Sequence, residues 1–141
     1  MVTIVELPFQ NLLQTTEIAQ SSFIWLDKEV NSWENNMYKE IAKEKFTGSE
    51  VSAFYCETIE QALQALDKTV KAVLIVSGSM GQFLLPRISP LNKHPALRSV
   101  IVFCMNVARH QQWAANHPLV SAVYDNFTDV LDKLEQNLSS A

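Results

Sequence analysis

Apolar and polar positions alternate along this chain in blocks that change period, from runs suited to strands to stripes suited to helices. Ser22–Asp27 (SFIWLD) is a short apolar run ending in an acid and reads as a strand. Asn31, followed three residues later by Glu34, reads as the cap of a helix. In that helix Trp33, Met37 and Ile41 recur at i, i+4 and i+8 and form the expected buried stripe, with Glu40, Lys43 and Glu44 outside. Thr47-Gly48-Ser49 ends it. Val51–Cys56 is a second strand. Thr58 with Gln61 forms another capping box, ahead of a stripe of Ile59, Ala62, Leu63 and Leu66.

The third strand, Ala72–Val76 (AVLIV), is continuously apolar and β-branched, as a strand covered on both faces should be. Ser77–Gly81 (SGSMG) reads as the loop that breaks it. Gln82–Ile88 reads as a short helix, kinked or irregular at Pro86, and Leu91–Leu97 as loop. Ser99–Met105 (SVIVFCM) is a fourth strand. Asn106 caps a helix over Ala108–His117 that buries Trp113. Val120–Tyr124 is a fifth strand, and Asn126 caps a last helix striped with Phe127, Val130, Leu131 and Leu134, fraying from Asn137. Ahead of these, Val2–Glu6 suits an edge strand and Asn11–Ala19 a short helix, so residues 1–21 form either an N-terminal extension packed on the core or a linker.

Five β-α repeats need crossover connections that cover both sheet faces. The expected fold is therefore α/β: a doubly wound, five-stranded parallel sheet in order 2-1-3-4-5, flavodoxin-like, with residues 22–141 forming a single domain. The 141-residue length suits one domain. No apolar run approaches the ~20 residues that span a bilayer, and the first ten residues lack a basic leader region, so a soluble, cytoplasmic protein is expected. Cys56 and Cys104 lie in apolar strands and read as buried, reduced thiols. No residues have metal-ligand spacing, and no cofactor is implied. His94, His110 and His117 read as surface residues, and Trp25, Trp33 and Trp113 as core.

Charge changes the picture. The net charge is −4, yet no Asp or Glu occurs from Lys68 to Tyr124, a stretch holding Lys68, Lys71, Arg87, Lys93, Arg98 and Arg109. In the expected topology the first and last helices share one sheet face. The domain should then be electrically two-sided, with complementary surfaces that favour head-to-tail contacts. Arg87, Lys93, Arg98 and Arg109 on one side, and Glu34, Glu40 and Asp132 on the other, are the candidate interface residues. Six bases spread among apolar strands do not make a nucleic-acid surface.

In this fold, ligands bind beyond the carboxyl ends of the strands, at the switch point between the first and third. Asp27, Lys28 and Glu29 follow the first strand, Ser77, Gly78 and Ser79 the third, Asn106 the fourth and Asp125 the fifth. Asp27, Ser77, Gly78, Ser79 and Asn106 are thus candidates for a small-anion or nucleotide site, in which small residues let backbone N–H groups approach the ligand.

The pattern resembles receiver and TIR-type signalling modules, which share this fold. A phosphoacceptor receiver implies an Asp ending strand 3, a Ser or Thr ending strand 4 and a Lys ending strand 5. Those positions here read Ser77, Met105-Asn106 and Asp125. NAD-cleaving TIR domains imply a Glu on the helix after strand 3, where this chain has SGSMGQFLLPRISPL, without an acid. The segments IWLDKEVNSWEN, AVLIVSGSMG, SVIVFCMNVARHQQWA and VSAVYDNF also resemble a poorly characterised N-terminal α/β module of eukaryotic multidomain proteins that carry tetratricopeptide repeats or ADP-ribosyltransferase domains. That resemblance implies an accessory role beside an effector domain and no catalytic residue. The leading expectation is a non-catalytic signalling or protein-interaction module, with a protein partner or self-association. The alternative is the small-anion or nucleotide-binding domain.

Overall fold

The computed structural model describes residues 4–6, 21–46, 51–88 and 94–140. Strands β2 (Ser22–Leu26), β3 (Val51–Cys56), β4 (Ala72–Ser77), β5 (Leu97–Phe103) and β6 (Val120–Tyr124) form a parallel sheet in the order β3-β2-β4-β5-β6. This is the expected 2-1-3-4-5 arrangement. A further strand, β1 (Ile4–Glu6), adds to its edge in parallel with β3, Ile4 opposite Val51. This segment of the N-terminal stretch therefore belongs to the sheet; the helix expected over Asn11–Ala19 and the stop at Thr47-Gly48-Ser49 lie outside the described residues.

The helices are α1 (Trp33–Lys45), α2 (Ile59–Lys68), α3 (Gly78–Leu84), α4 (Val107–Ala114) and α5 (Phe127–Ser140), with a 3-10 turn, Leu85–Ile88, continuing α3. Alternate residues of each strand feed two cores. Ile24, Leu26, Phe54, Leu74, Val76 and Val102 pack against α2, α3 and α4. Phe23, Trp25, Ala53, Val73, Ile75 and Ile101 pack against α1 and α5. The unbroken apolar run of β4 thus serves both layers. None of the described helices is long and apolar enough to cross a membrane.

Three local expectations change. The cap of α1 is Ser32, whose hydroxyl accepts from Asn35 N at 3.2 Å, while Asn31 Oδ1 accepts from Lys39 Nζ at 2.9 Å. The buried side of α1 is Asn35, Lys39 and Ala42, continued by Phe46 just past its end; Trp33, Met37 and Ile41 face outward. Third, Ser77–Gly81 is no loop: α3 starts directly at Gly78. Both glycines serve close packing instead. A Cβ on Gly78 would overlap the His110 ring, and one on Gly81 would stand 3.0 Å from Val76 and 3.1 Å from Trp113. Pro86 falls in the 3-10 turn, where the helix has already tightened. Strand β5 starts and stops two residues before the expected bounds, and α5 runs through the expected frayed end to Ser140.

Candidate functional site

The carboxyl ends of β2, β4 and β5 open into a cleft of about 550 Å³, lined by Asp27, Glu29, Ser32, Glu34, Asn35, Ser77, Gly78, Ser79, Phe103, Cys104, Met105 and His110. It lies at the switch point, where β2 leads to β3 on one side and β4 to β5 on the other.

One wall is the turn from β2 into α1. Asp27 Oδ1 accepts from Glu29 N at 2.8 Å, a side-chain turn that fixes the carboxylate at the strand end. Asn35, buried in the first turn of α1, donates through Nδ2 to Glu29 O at 2.8 Å and to Asp27 Oδ2 at 3.4 Å. The helix thereby holds its own entry loop, and Asp27, Glu29 and Glu34 are left bordering the cleft.

The opposite wall comes from β5 and α4. Phe103 packs edge-on against Tyr38, 5.8 Å between ring centroids, and leans on Phe127 at 5.5 Å. Cys104 is buried, and burial, reinforced by the negative charge of Asp125, raises its thiol above the ordinary value. The thiolate is therefore disfavoured, and with it nucleophilic chemistry at this sulfur. Cys56 is deeper, and burial pushes its thiol up to about 12; both cysteines are free and buried, as their strand context predicts.

His110 is a buried residue rather than a surface one, 7% exposed. Its Nδ1 accepts from Trp113 Nε1–H at 3.0 Å, and its ring lies against Gly78, which has no side chain to keep it away. Burial first, and the charge of Arg109 second, lower its pKa. A neutral ring whose Nδ1 is an acceptor carries its proton on Nε2. His94 and His117 are half-buried rather than exposed, and burial lowers the pKa of His117 as well.

Of the five residues expected to form a ligand site, the cleft brings together Asp27, Ser77, Gly78 and Ser79. Asn106 does not line it; its Oδ1 is taken up capping α4, accepting from Arg109 N at 3.1 Å. His110, Phe103, Asn35 and Glu34 are among the other lining residues. None of these four is among the expected ligand-site residues: Phe103 reads only as part of a buried strand, and no local pattern distinguishes His110 from a solvated helix residue.

The interface residues fare differently. Arg87 is exposed but bonds Glu60 of α2 at 2.8 Å. Glu40 pairs with Lys43 at 3.7 Å, and Asp132 with Lys45 at 3.0 Å. Arg98, Arg109 and Glu34 are exposed, and Lys93 lies outside the described residues. The charge division is softer in space than along the chain. Helix α2 shares the face of α3 and α4 and brings Glu60 and Asp67 onto it, while Lys43, Lys45 and Lys133 join the acids of α1 and α5.

The most conspicuous surface is one the charge pattern did not name. On α1, Trp33 is 77% exposed, Met37 50% and Ile41 48%. They make a row on the solvent side of the helix, interleaved with Glu40 and Glu44 and bordered by Glu34, which also lines the cleft. Across the sheet, Phe83 on α3 is 70% exposed, one turn before Arg87.

No family model, curated protein or solved structure gives a significant match to this chain.

Proposed function

We propose that this domain is a non-catalytic protein-interaction module that associates with itself head to tail. The observation carrying this reading is the outward row of Trp33, Met37 and Ile41 on α1. A helix of a soluble domain ordinarily turns such residues inward, and apolar side chains gathered on a surface mark contact sites. Burying three side chains of this size contributes roughly 3–6 kcal/mol before the cost of association. The cost of association is of the same size, so the row supports at most a weak, reversible contact that also needs apolar area and charge pairs from the partner surface.

The acids around the row favour a partner surface that is apolar and basic. Pairing α1 with α1 through an isologous contact would bring the Glu34, Glu40 and Glu44 clusters close to one another. The opposite face of a second copy offers Phe83 with Arg87 and, on the neighbouring helix, Arg109. The Arg87–Glu60 pair is exposed and costs little to exchange. A contact between opposite faces does not close on itself, so it builds open chains of copies. The raised thiol of Cys104, and the Ser77, Asn106 and Asp125 at the strand ends, support a role without covalent chemistry. The accessory role implied by the multidomain resemblance accords with this reading.

Light scattering across a wide concentration range tests it. The average mass should rise with concentration, and rise less at high salt, because screening weakens the charged rim. A mass fixed at the monomer at low salt and every concentration contradicts the proposal.

A further inference from the structure

The cleft at the strand ends has a chemistry of its own and meets the outer face of α1 at Glu34. Its size, about 550 Å³, falls within the range of small-molecule sites. Three carboxylates line it, Asp27, Glu29 and Glu34, and among the described residues no Lys or Arg does. Lys28 and Arg109, the bases nearest in sequence to its lining, are not part of it. A phosphate there would meet three carboxylates, which reverses the preference expected of the Ser77–Gly81 segment.

The second observation is independent of the acids. His110 is more than nine-tenths buried and lines the cleft, with one nitrogen satisfied by Trp113 and none of the described residues bonding the other. That nitrogen is open to solvent rather than sealed in, so an acceptor on a ligand in the cleft can reach it. Gly78, Phe103 and Met105 also line the cleft and give it apolar surface. The residues thus describe a bipolar ligand: a positive, donor-rich head, an apolar or aromatic body, and an acceptor at the far end.

We infer that the cleft binds a small organic cation, an amine or guanidine whose charged head meets Asp27, Glu29 and Glu34 and whose body offers an acceptor to His110 Nε2–H. Trp113 is a positioning residue in this site, since its indole N–H selects the tautomer that leaves Nε2 as the donor.

The test is a titration followed by the His110 imidazole resonances, with tyramine, phenethylamine and agmatine as cations and inorganic phosphate and AMP as anions. Tyramine, with both an ammonium and a phenol oxygen, should move the His110 signals and bind more tightly than phenethylamine, which lacks the oxygen. A Glu29→Gln/Glu34→Gln variant should lose roughly tenfold in amine affinity, the scale of lost charge-assisted contacts. Both positions are exposed, so its unliganded melting temperature should stay at the parent value, which separates lost binding from lost fold. A His110 response to phosphate or AMP but not to the amines overturns the inference. So does the absence of a response to all five probes, or an amine affinity unchanged in the double variant.

Discussion

Gly78 and His110 constrain each other. The ring occupies the space a Cβ would need, so Gly78→Ala should cost about 1–3 kcal/mol by overpacking. In a His110→Ala background the same change should cost clearly less, and a double-mutant cycle by denaturant unfolding reads that coupling; equal costs in both backgrounds would exclude the contact as the cause. His110 also imposes a pH dependence. Burial and Arg109 place its folded pKa below the ordinary value of 6.5, so the unfolded chain takes up the proton first as pH falls. This contribution to stability is complete above about pH 6.5 and is lost as pH drops towards the lower folded value. His117 shifts in the same direction, so the comparison must isolate one ring. The stability-against-pH curve of His110→Gln should be shallower than the parent's just below neutrality, and identical slopes would contradict the assignment. Neither residue's role could be read from the sequence. A glycine beside serines after a strand suggests a loop, and only the packing of α4 beside α3 on the same face makes Gly78 a packing requirement.

At the scale of the element, α1 carries two apolar lines. One is Trp33, Met37 and Ile41; the other is Tyr38 and Ala42, extended by Phe46 past its end. Periodicity favours the heavier line for the core, and the structure chooses the lighter. Asn35 on the inner side ties the helix to its entry loop, and Lys39 on that side reaches Asn31 and stands 4.4 Å from the centre of the Tyr55 ring. Polar residues with local partners can be buried, so hydrophobic weight alone does not set a helix's phase. The inverted weight is what supports the proposed contact surface, since a locally consistent sequence breaks its own pattern mainly where it serves a function. Trp33→Ser should therefore alter stability by no more than about 0.5 kcal/mol, whereas Phe46→Ala should cost about 3–5 kcal/mol. Chemical denaturation distinguishes the two, and a large loss from Trp33→Ser would mean that the helix packs in the other phase. Capping was better specified: Thr58, Asn106 and Asn126 each accept from the backbone N–H three residues on. At α1 the cap is Ser32 rather than Asn31.

For the whole molecule, the strand order and the sharing of helices between two faces follow from β-α alternation and the handedness of crossovers, and both are legible in the sequence. The edge pairing of Ile4–Glu6 rests on a long-range contact with β3 that three residues cannot announce. The charge division along the chain was real, but folding places Glu60 and Asp67 beside the bases and lysines beside the acids. What distinguishes the two sides more firmly is the pairing of exposed apolar residues with charge: Trp33, Met37 and Ile41 among acids, and Phe83 beside Arg87. Mixing two variants tests the resulting head-to-tail account most directly. Trp33→Asp removes one contact surface and Phe83→Asp the other, both at exposed positions that should leave the fold intact. Each variant alone should remain monomeric in sedimentation velocity where the parent chain associates, and an equimolar mixture should form a discrete dimer through the one remaining pair of intact surfaces. A mixture as monomeric as its components, or association that persists in either variant alone, would contradict it.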